Sequence, residues 1–582
     1  MKFPLAILIL LLFSTQLFPY CAPQNRSIHL AAVAGESDGV IFRLDVRVQP
    51  GTGMVYTAVS PLTGFSTQES EAAAASYAFS QSGQERGDCD VFYTIHGDFF
   101  DNKVDGPSAG AAMAAATLAA LKNTGIRSDM VMTGTISPDG KIGEVGGVVE
   151  KSFAASDAGA RYILVPHLQL YEALAISSAF KGGNFHAIEV SDLSDAARIL
   201  SSPYSQEFNS TISPKSSPLP NLTEIKYDAE LGRFALVASG VINELRQTSE
   251  ETAGGPYSKY FSDEISKYDR LLALGYPFSA ANSAFLLSVD AQFLKLGDSP
   301  IDLEGSASEA EACVSSLSNV TKTRQNFHWA VGADLRKIWA KTRFNETVSR
   351  DPGEREAYSS LRDLLFVKSW CGISRDLSAQ AGEIGGEEVD ESILASLAEE
   401  KLLSAEKEFD SADSIDPDAL WHYKTALEAN KSGLYGAAIY DATYARAVQT
   451  ASNDRENRKE SLAEEARNLS TQERNSLWGK IYSGQGKFLY VESKGDPSYS
   501  QGAQNVLIYS KELDSSVSEI DEALLKNGRE QAVLANPAGN GEEKGLAKTA
   551  GDAAAALSGI ALAGFALLCA YSLVKNHNPA KR

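Results

Sequence analysis

At Asp105-Gly106-Pro107-Ser108-Ala109-Gly110 the chain sets a serine at the entrance of an alanine-rich helical run, AAMAAATLAALK. Backbone N–H groups and the positive end of the helix dipole gather at such a start, which is what an oxyanion formed by serine attack requires. Gly106 and Gly110 permit close backbone approach there. The same placement suits a plain N-cap serine, and this segment alone fits both roles. Further on, Gly146-Gly147-Val148-Val149-Glu150-Lys151 puts a lysine among Val148, Val149 and Phe153. A free lysine amine titrates at about 10.4 and is a poor base at neutral pH, but apolar surroundings disfavour its charge and lower that value. A neutral Lys151 could accept the Ser108 proton during attack on a peptide carbonyl and return it to the leaving amine. Taken alone, Lys151 also fits a solvated surface charge.

The two segments in register, with Met132-Thr133-Gly134 between them, resemble the proteolytic domain of the Lon protease family, where a DGPSAG serine works with a lysine in a GGxxEK segment. The interval is 151 − 108 = 43 residues, which matches that family's register. His96-Gly97 and Gln68-Glu69-Ser70 are softer matches. The resemblance covers roughly residues 28–200, about a third of the chain. It implies a Ser108–Lys151 dyad, with Thr133 orienting the lysine amine and backbone N–H groups near Ser108 forming the oxyanion hole. It also implies that Asp105 supports or blocks the serine according to conformation. His96 has no necessary part in such a mechanism. Val149 stands where the family commonly has a basic residue, leaving Lys151 as the lysine of the segment. Lon proteins normally join this domain to an ATP-driven motor, yet no GxxxxGK[ST] motif occurs in the sequence; Pro138-Asp139-Gly140 reads as a β-turn. Six-membered rings are the family's assembly, so a homo-oligomer, a hexamer by resemblance, is an expectation.

Short strands and helices must hold these residues. Alternation in Val40–Val48 puts Phe42, Leu44, Val46 and Val48 on one face and Arg43, Asp45 and Arg47 on the other. Further strands are expected at Met54–Val59, Val91–Ile95, Met130–Ile136 and Tyr162–Val165, with helices at Glu69–Ser80, Ser108–Lys122, Val148–Ala158 and Asp192–Leu200. The fold class expected is an α+β Lon-type proteolytic domain over 28–200, then a mostly α-helical domain and a single C-terminal transmembrane helix.

Residues 201–221 collect Ser and Pro and read as a linker. From 222 to 527 helical periodicity prevails. KYDRLLALGYPFSAANSAFLLSVDA and YKTALEANKSGLYGAAIYDATYARA each set a Tyr between two Ala-rich amphipathic runs, as tetratricopeptide-like hairpins do; a plain helical bundle fits as well. Residues 528–552 read as a flexible stalk, 553–574 as an uncharged run long enough to span a bilayer, and 575–582 as a cytoplasmic tail, since Lys575, Lys581 and Arg582 follow the span. Residues 1–22 have the layout of a signal peptide, with the fate of Cys21 left open. An exported chain on a C-terminal anchor follows, and Asn25, Asn209, Asn221, Asn319, Asn345, Asn430 and Asn468 head N-x-S/T sequons compatible with it. Of Cys89, Cys313 and Cys371, a bridge between the last two is the one favoured.

With 53 Lys+Arg against 75 Asp+Glu, the net charge of −22 argues against nucleic-acid binding, whose phosphates need basic partners. Seven His and scattered Cys show no ligand spacing, so neither metal nor cofactor is expected. The reading is an ATP-independent serine endopeptidase on the extracellular face, acting on peptides or unfolded protein. The alternatives are a non-catalytic scaffold or peptide-binding protein on the same fold, and a protease confined to cleaving itself.

Overall fold

The computed structural model describes residues 21–535, apart from 35–37, 59–62, 98–105, 213, 215, 253–256, 297–300, 351–356, 413, 456–458 and 494–496. They fall into two compact units that divide between Pro214 and Lys215.

The first unit is built on a mixed seven-stranded sheet in the order β3-β4-β2-β1-β5-β8-β9. β1 (Gln24–Ala34) and β2 (Asp38–Pro50) pair antiparallel along their length, with Ile28 opposite Leu44. β2 also pairs antiparallel with β4 (Cys89–His96), and β3 (Val55–Thr57) runs parallel to β4. On the other side β1, β5 (Met130–Met132), β8 (Tyr162–Val165) and β9 (His186–Glu189) are parallel. The alternation expected in Val40–Val48 is present: Phe42, Leu44, Val46 and Val48 are buried.

Helix α1 (Phe65–Ser82) and helix α2 (Gly110–Leu121) pack together, and α2 also lies on β1 and β2. Every residue of α2 is buried, and its small Ala side chains let the backbone approach the sheet closely without loss of helix propensity. Thr117 is tolerated at its centre because its hydroxyl bonds the Met113 carbonyl at 2.7 Å and the Tyr93 hydroxyl at 2.7 Å. Helices α3 (Val148–Asp157), α4 (Leu170–Ala179) and α5 (Leu193–Leu200) follow.

The stretch expected to be one strand from Met130 to Ile136 is broken in two. β5 stops at Met132, Gly134 takes φ +150°, and Thr135–Ile136 (β6) forms a separate hairpin with Ile142–Gly143 (β7). Part of the Ser/Pro-rich stretch is tied to the unit. Arg127, buried and paired with Asp129, donates to the carbonyls of Pro203 (3.1 Å) and Gln206 (2.7 Å). Thr211 N donates to Ala187 O at 3.2 Å, and Thr211 Oγ1 accepts from Glu189 N, so the chain covers the β9 edge.

Cys21 and Cys89 form a disulfide, with Cα atoms 5.6 Å apart. A leader cut after residue 22 would remove Cys21, so this bridge requires a boundary on the N-terminal side of Cys21; residues 1–20 lie outside the described residues.

The second unit is helical: α6 (Ala229–Thr252), α7 (Tyr257–Ala273), α8 (Pro277–Leu296), α9 (Leu303–Ser315), α10 (Phe327–Ser349), α11 (Ala357–Glu383), α12 (Ala395–Asp410), α13 (Pro417–Lys431), α14 (Tyr435–Arg455), α15 (Lys459–Thr471), α16 (Leu477–Glu492) and α17 (Pro497–Ala535). The two look-alike stretches are both helical hairpins, α7–α8 and α13–α14, and each turns on a left-handed glycine, Gly275 at φ +86° and Gly433 at φ +73°. Cys313 on α9 is bridged to Cys371 on α11, the pair favoured from the sequence. All five tryptophans, at 329, 339, 370, 421 and 478, belong to this unit. The proposed anchor at 553–574 lies outside the described residues, and among those described no helix is long and apolar enough to cross a membrane.

Candidate active site

Ser108 lies in a single 3-10 turn, Pro107–Ala109, that feeds directly into α2. Gly106 enters the turn at φ +133°, a conformation that side chains oppose, and Thr67 of α1 donates to its carbonyl at 3.4 Å. The turn is pinned to the end of β5. Gly134 N donates to Ser108 O at 2.9 Å, Gly134 O accepts from Ala111 N at 3.0 Å, and Thr133 N donates to Leu164 O at 3.0 Å. The serine therefore sits at the carboxyl end of the parallel strands, where open α/β sheets gather their functional loops.

Lys151 is on the first turn of α3, one helix later. Gly147 caps that helix in the left-handed region, φ +66°, where a Cβ would come within 2.5 Å of the Val33 side chain near the end of β1. The lysine is only 3% exposed, and its Nζ donates to Gly146 O at 2.8 Å. Burial pushes its amine down from the ordinary 10.5 to about 8, against the opposing pull of Glu172 on α4 and of Glu150. About a tenth of such an amine is unprotonated at pH 7, against well under a thousandth at 10.5.

Ser108 and Lys151 are thus presented at the starts of two successive helices, and no hydrogen bond joins their side chains among the described residues. Among the described residues no hydrogen bond joins Thr133 to the amine; its buried hydroxyl donates to Ser108 O at 3.3 Å and props the serine turn. Asp105 lies outside the described residues. His96 Nε2 is 2.9 Å from Asp45 Oδ2 on the neighbouring strand β2. Glu172, which lies near enough to act on Lys151, carries no sequence signal at all; it caps α4 by receiving Gln169 N at 3.1 Å.

With that geometry in view, comparison with known proteins is decisive for this segment. Residues 31–198 match the Lon protease (S16) C-terminal proteolytic domain. Lon protease 1 of Hydrogenovibrio crunogenus is 35% identical over 157 residues, covering 26% of this chain and 19% of that protein. Lon protease 1 of Myxococcus xanthus is 36% identical over 135 residues, 22% and 16% of the two chains. A Lon protease of Phenylobacterium zucineum reaches 50% over 62 residues, 11% of this chain and 8% of its own length. The chain spans about a fifth or less of the curated relatives it matches. Its first unit has the proteolytic domain of a serine-type peptidase, followed by a mostly helical region.

Proposed function

We propose that the protein is a Lon-like serine endopeptidase working through Ser108 and Lys151 without ATP. The observation that supports this is the buried Lys151 amine, its pKa lowered to about 8 by burial, on the helix that follows the one Ser108 opens. In the reaction, neutral Lys151 takes the Ser108 proton as Oγ attacks a peptide carbonyl. The first N–H groups of α2 face the oxyanion, and Lys151 then protonates the leaving amine. Water repeats the sequence to release the acyl group and regenerate the serine. The Lys151 bond to Gly146 O is donated by an N–H and leaves the lone pair of the neutral amine for the Ser108 proton, so a substrate that brings Ser108 Oγ within reach of that lone pair completes the site. Thr133 positions the turn through the Ser108 carbonyl.

Without a GxxxxGK[ST] motif, the substrates proposed are peptides and already unfolded segments. The chain is further proposed to be exported, anchored by 553–574 with its C-terminus inside the cell, and to assemble as a homo-oligomer. A fluorophosphonate probe tests the serine directly. Labelling of the wild type, lost in Ser108→Ala and reduced in Lys151→Ala, supports the dyad. Equal labelling of wild type and Ser108→Ala, or none in either, turns the reading toward a non-catalytic scaffold.

A further inference from the structure

The helical unit contains a cavity of about 280 Å³, part of whose polar lining has no hydrogen-bond partner among the described residues. It is bordered by the approach to α6 (Ile225, Asp228), the α7–α8 turn, the chain before α16, and α16 itself, and opens to solvent. Four of its lining side chains are cationic, Lys226, Arg474, Lys480 and Lys487, against two carboxylates, Asp228 and Glu473, in a chain whose net charge is −22. Lys480 is neutralised by Asp228 at 2.7 Å. Arg474 spends Nε on Ser510 Oγ (3.0 Å) and Nη1 on the Glu473 carbonyl (3.2 Å) and Gln472, while its buried Nη2 has no partner among the described residues. Lys487 is held below its ordinary pKa by burial and by Arg474, with Glu473 opposing; burial likewise lowers Arg474, with Asp514 opposing.

Three further lining groups are unsatisfied. Gln485 is 0% exposed and, among the described residues, neither end of its amide has a hydrogen bond; Ser483 Oγ and Ser279 Oγ are likewise unpartnered there. Ser279 lies in the first turn of α8, whose N-terminal N–H groups border the same space. Buried donors without partners are costly, so a cluster of them beside two like charges suits an anion. The remaining wall is apolar, with Ile225, Leu231, Tyr276, Phe278 and Ile481.

We propose that this cavity binds the carboxylate of a small organic acid or of a peptide C-terminus, with Arg474, Lys487, Gln485 and Ser279 receiving the carboxylate and the apolar wall taking its side chain. A planar guanidinium and a planar amide suit a carboxylate, and the apolar surface would be idle against a bare inorganic ion.

The test is calorimetric titration of the full-length protein with N-acetylphenylalanine, its amide, inorganic phosphate, and a tetrapeptide ending in free phenylalanine. Binding of N-acetylphenylalanine is expected, with the amide and phosphate at least about tenfold weaker. Lys487→Gln should weaken binding about tenfold with Trp478 fluorescence unchanged, and Arg474→Gln should abolish it. Lys487→Gln keeps the test open if Arg474→Gln disturbs the Ser510 contact. Tetrapeptide binding as tight as the single residue assigns a peptide end; its exclusion assigns a free acid. Equal binding of the amide, preference for phosphate, binding indifferent to Lys487→Gln, or no binding of N-acetylphenylalanine at about 10 mM overturns the proposal.

Discussion

Replacing Lys151 by Met keeps the length and removes the amine, and the structure gives the sign and size of the result. The amine falls from 10.5 to about 8 on folding, which at about 1.4 kcal/mol per pH unit disfavours the native protein by about 3 kcal/mol wherever the lysine is charged in both states. Against this, the variant loses the bond from Nζ to Gly146 O, about 1 kcal/mol. At pH 7 Lys151→Met should therefore stabilise the proteolytic unit by about 2 kcal/mol while abolishing turnover. The lysine penalty is complete below the folded value of about 8 and disappears as pH rises toward 10.5, because over that window the unfolded chain binds the proton that the folded one has released. Near pH 10 wild type and variant should be about equally stable. Urea unfolding measures this: tryptophan fluorescence follows the helical unit, which holds every tryptophan, and the remaining circular-dichroism transition follows the proteolytic unit. A variant no more stable than wild type at pH 7, or a difference that does not shrink between pH 8 and 10, refutes the desolvated amine and with it the base assigned to the reaction.

Glu71 supplies the opposite pH dependence. It is buried on α1 with its hydrogen bond to Thr57, and burial raises its carboxyl to about 7, so Glu71→Gln should stabilise the unit at pH 8 and have little effect below pH 4.5, measured by the same unfolding curves. The Cys313–Cys371 bridge closes a 58-residue separation, and Cys313→Ser with Cys371→Ser should lower the stability of the helical unit by about 4 kcal/mol in the tryptophan-detected transition. Gly134→Ala places a Cβ 2.5 Å from Ile142 at φ +150°; a loss of about 1–3 kcal/mol and reduced peptide turnover are expected, since Gly134 N holds the serine turn. N-terminal sequencing of the mature protein should read Cys21 within the retained chain; a first residue after Cys21 would remove the bridge to Cys89.

The serine and lysine were legible because their neighbours are fixed by backbone need: glycines before the turn and before α3, and a run of alanines that only a helix packed hard on a sheet can use. The bond from Thr133 to the Ser108 carbonyl is not legible in that way, because the direction of a hydroxyl is set by packing rather than by spacing along the chain. Helix α4 and strand β9 carry little signal in the sequence, for a simpler reason. α4 opens on Gln169, a weak N-cap residue, and β9 has four residues with no turn residues framing a pattern. The paired Gly and Tyr of the two hairpins did survive translation into structure. The cavity on the helical unit could not be read at all, since Lys226 and Lys487 are about 260 residues apart and meet only through packing.

Peptide hydrolysis by the purified protein in the absence of ATP bears most directly on the central claim. The expected result is turnover of unfolded peptides that rises with pH through about 8 and vanishes in both Ser108→Ala and Lys151→Ala. Turnover that persists in Lys151→Ala, or that requires ATP, would contradict it.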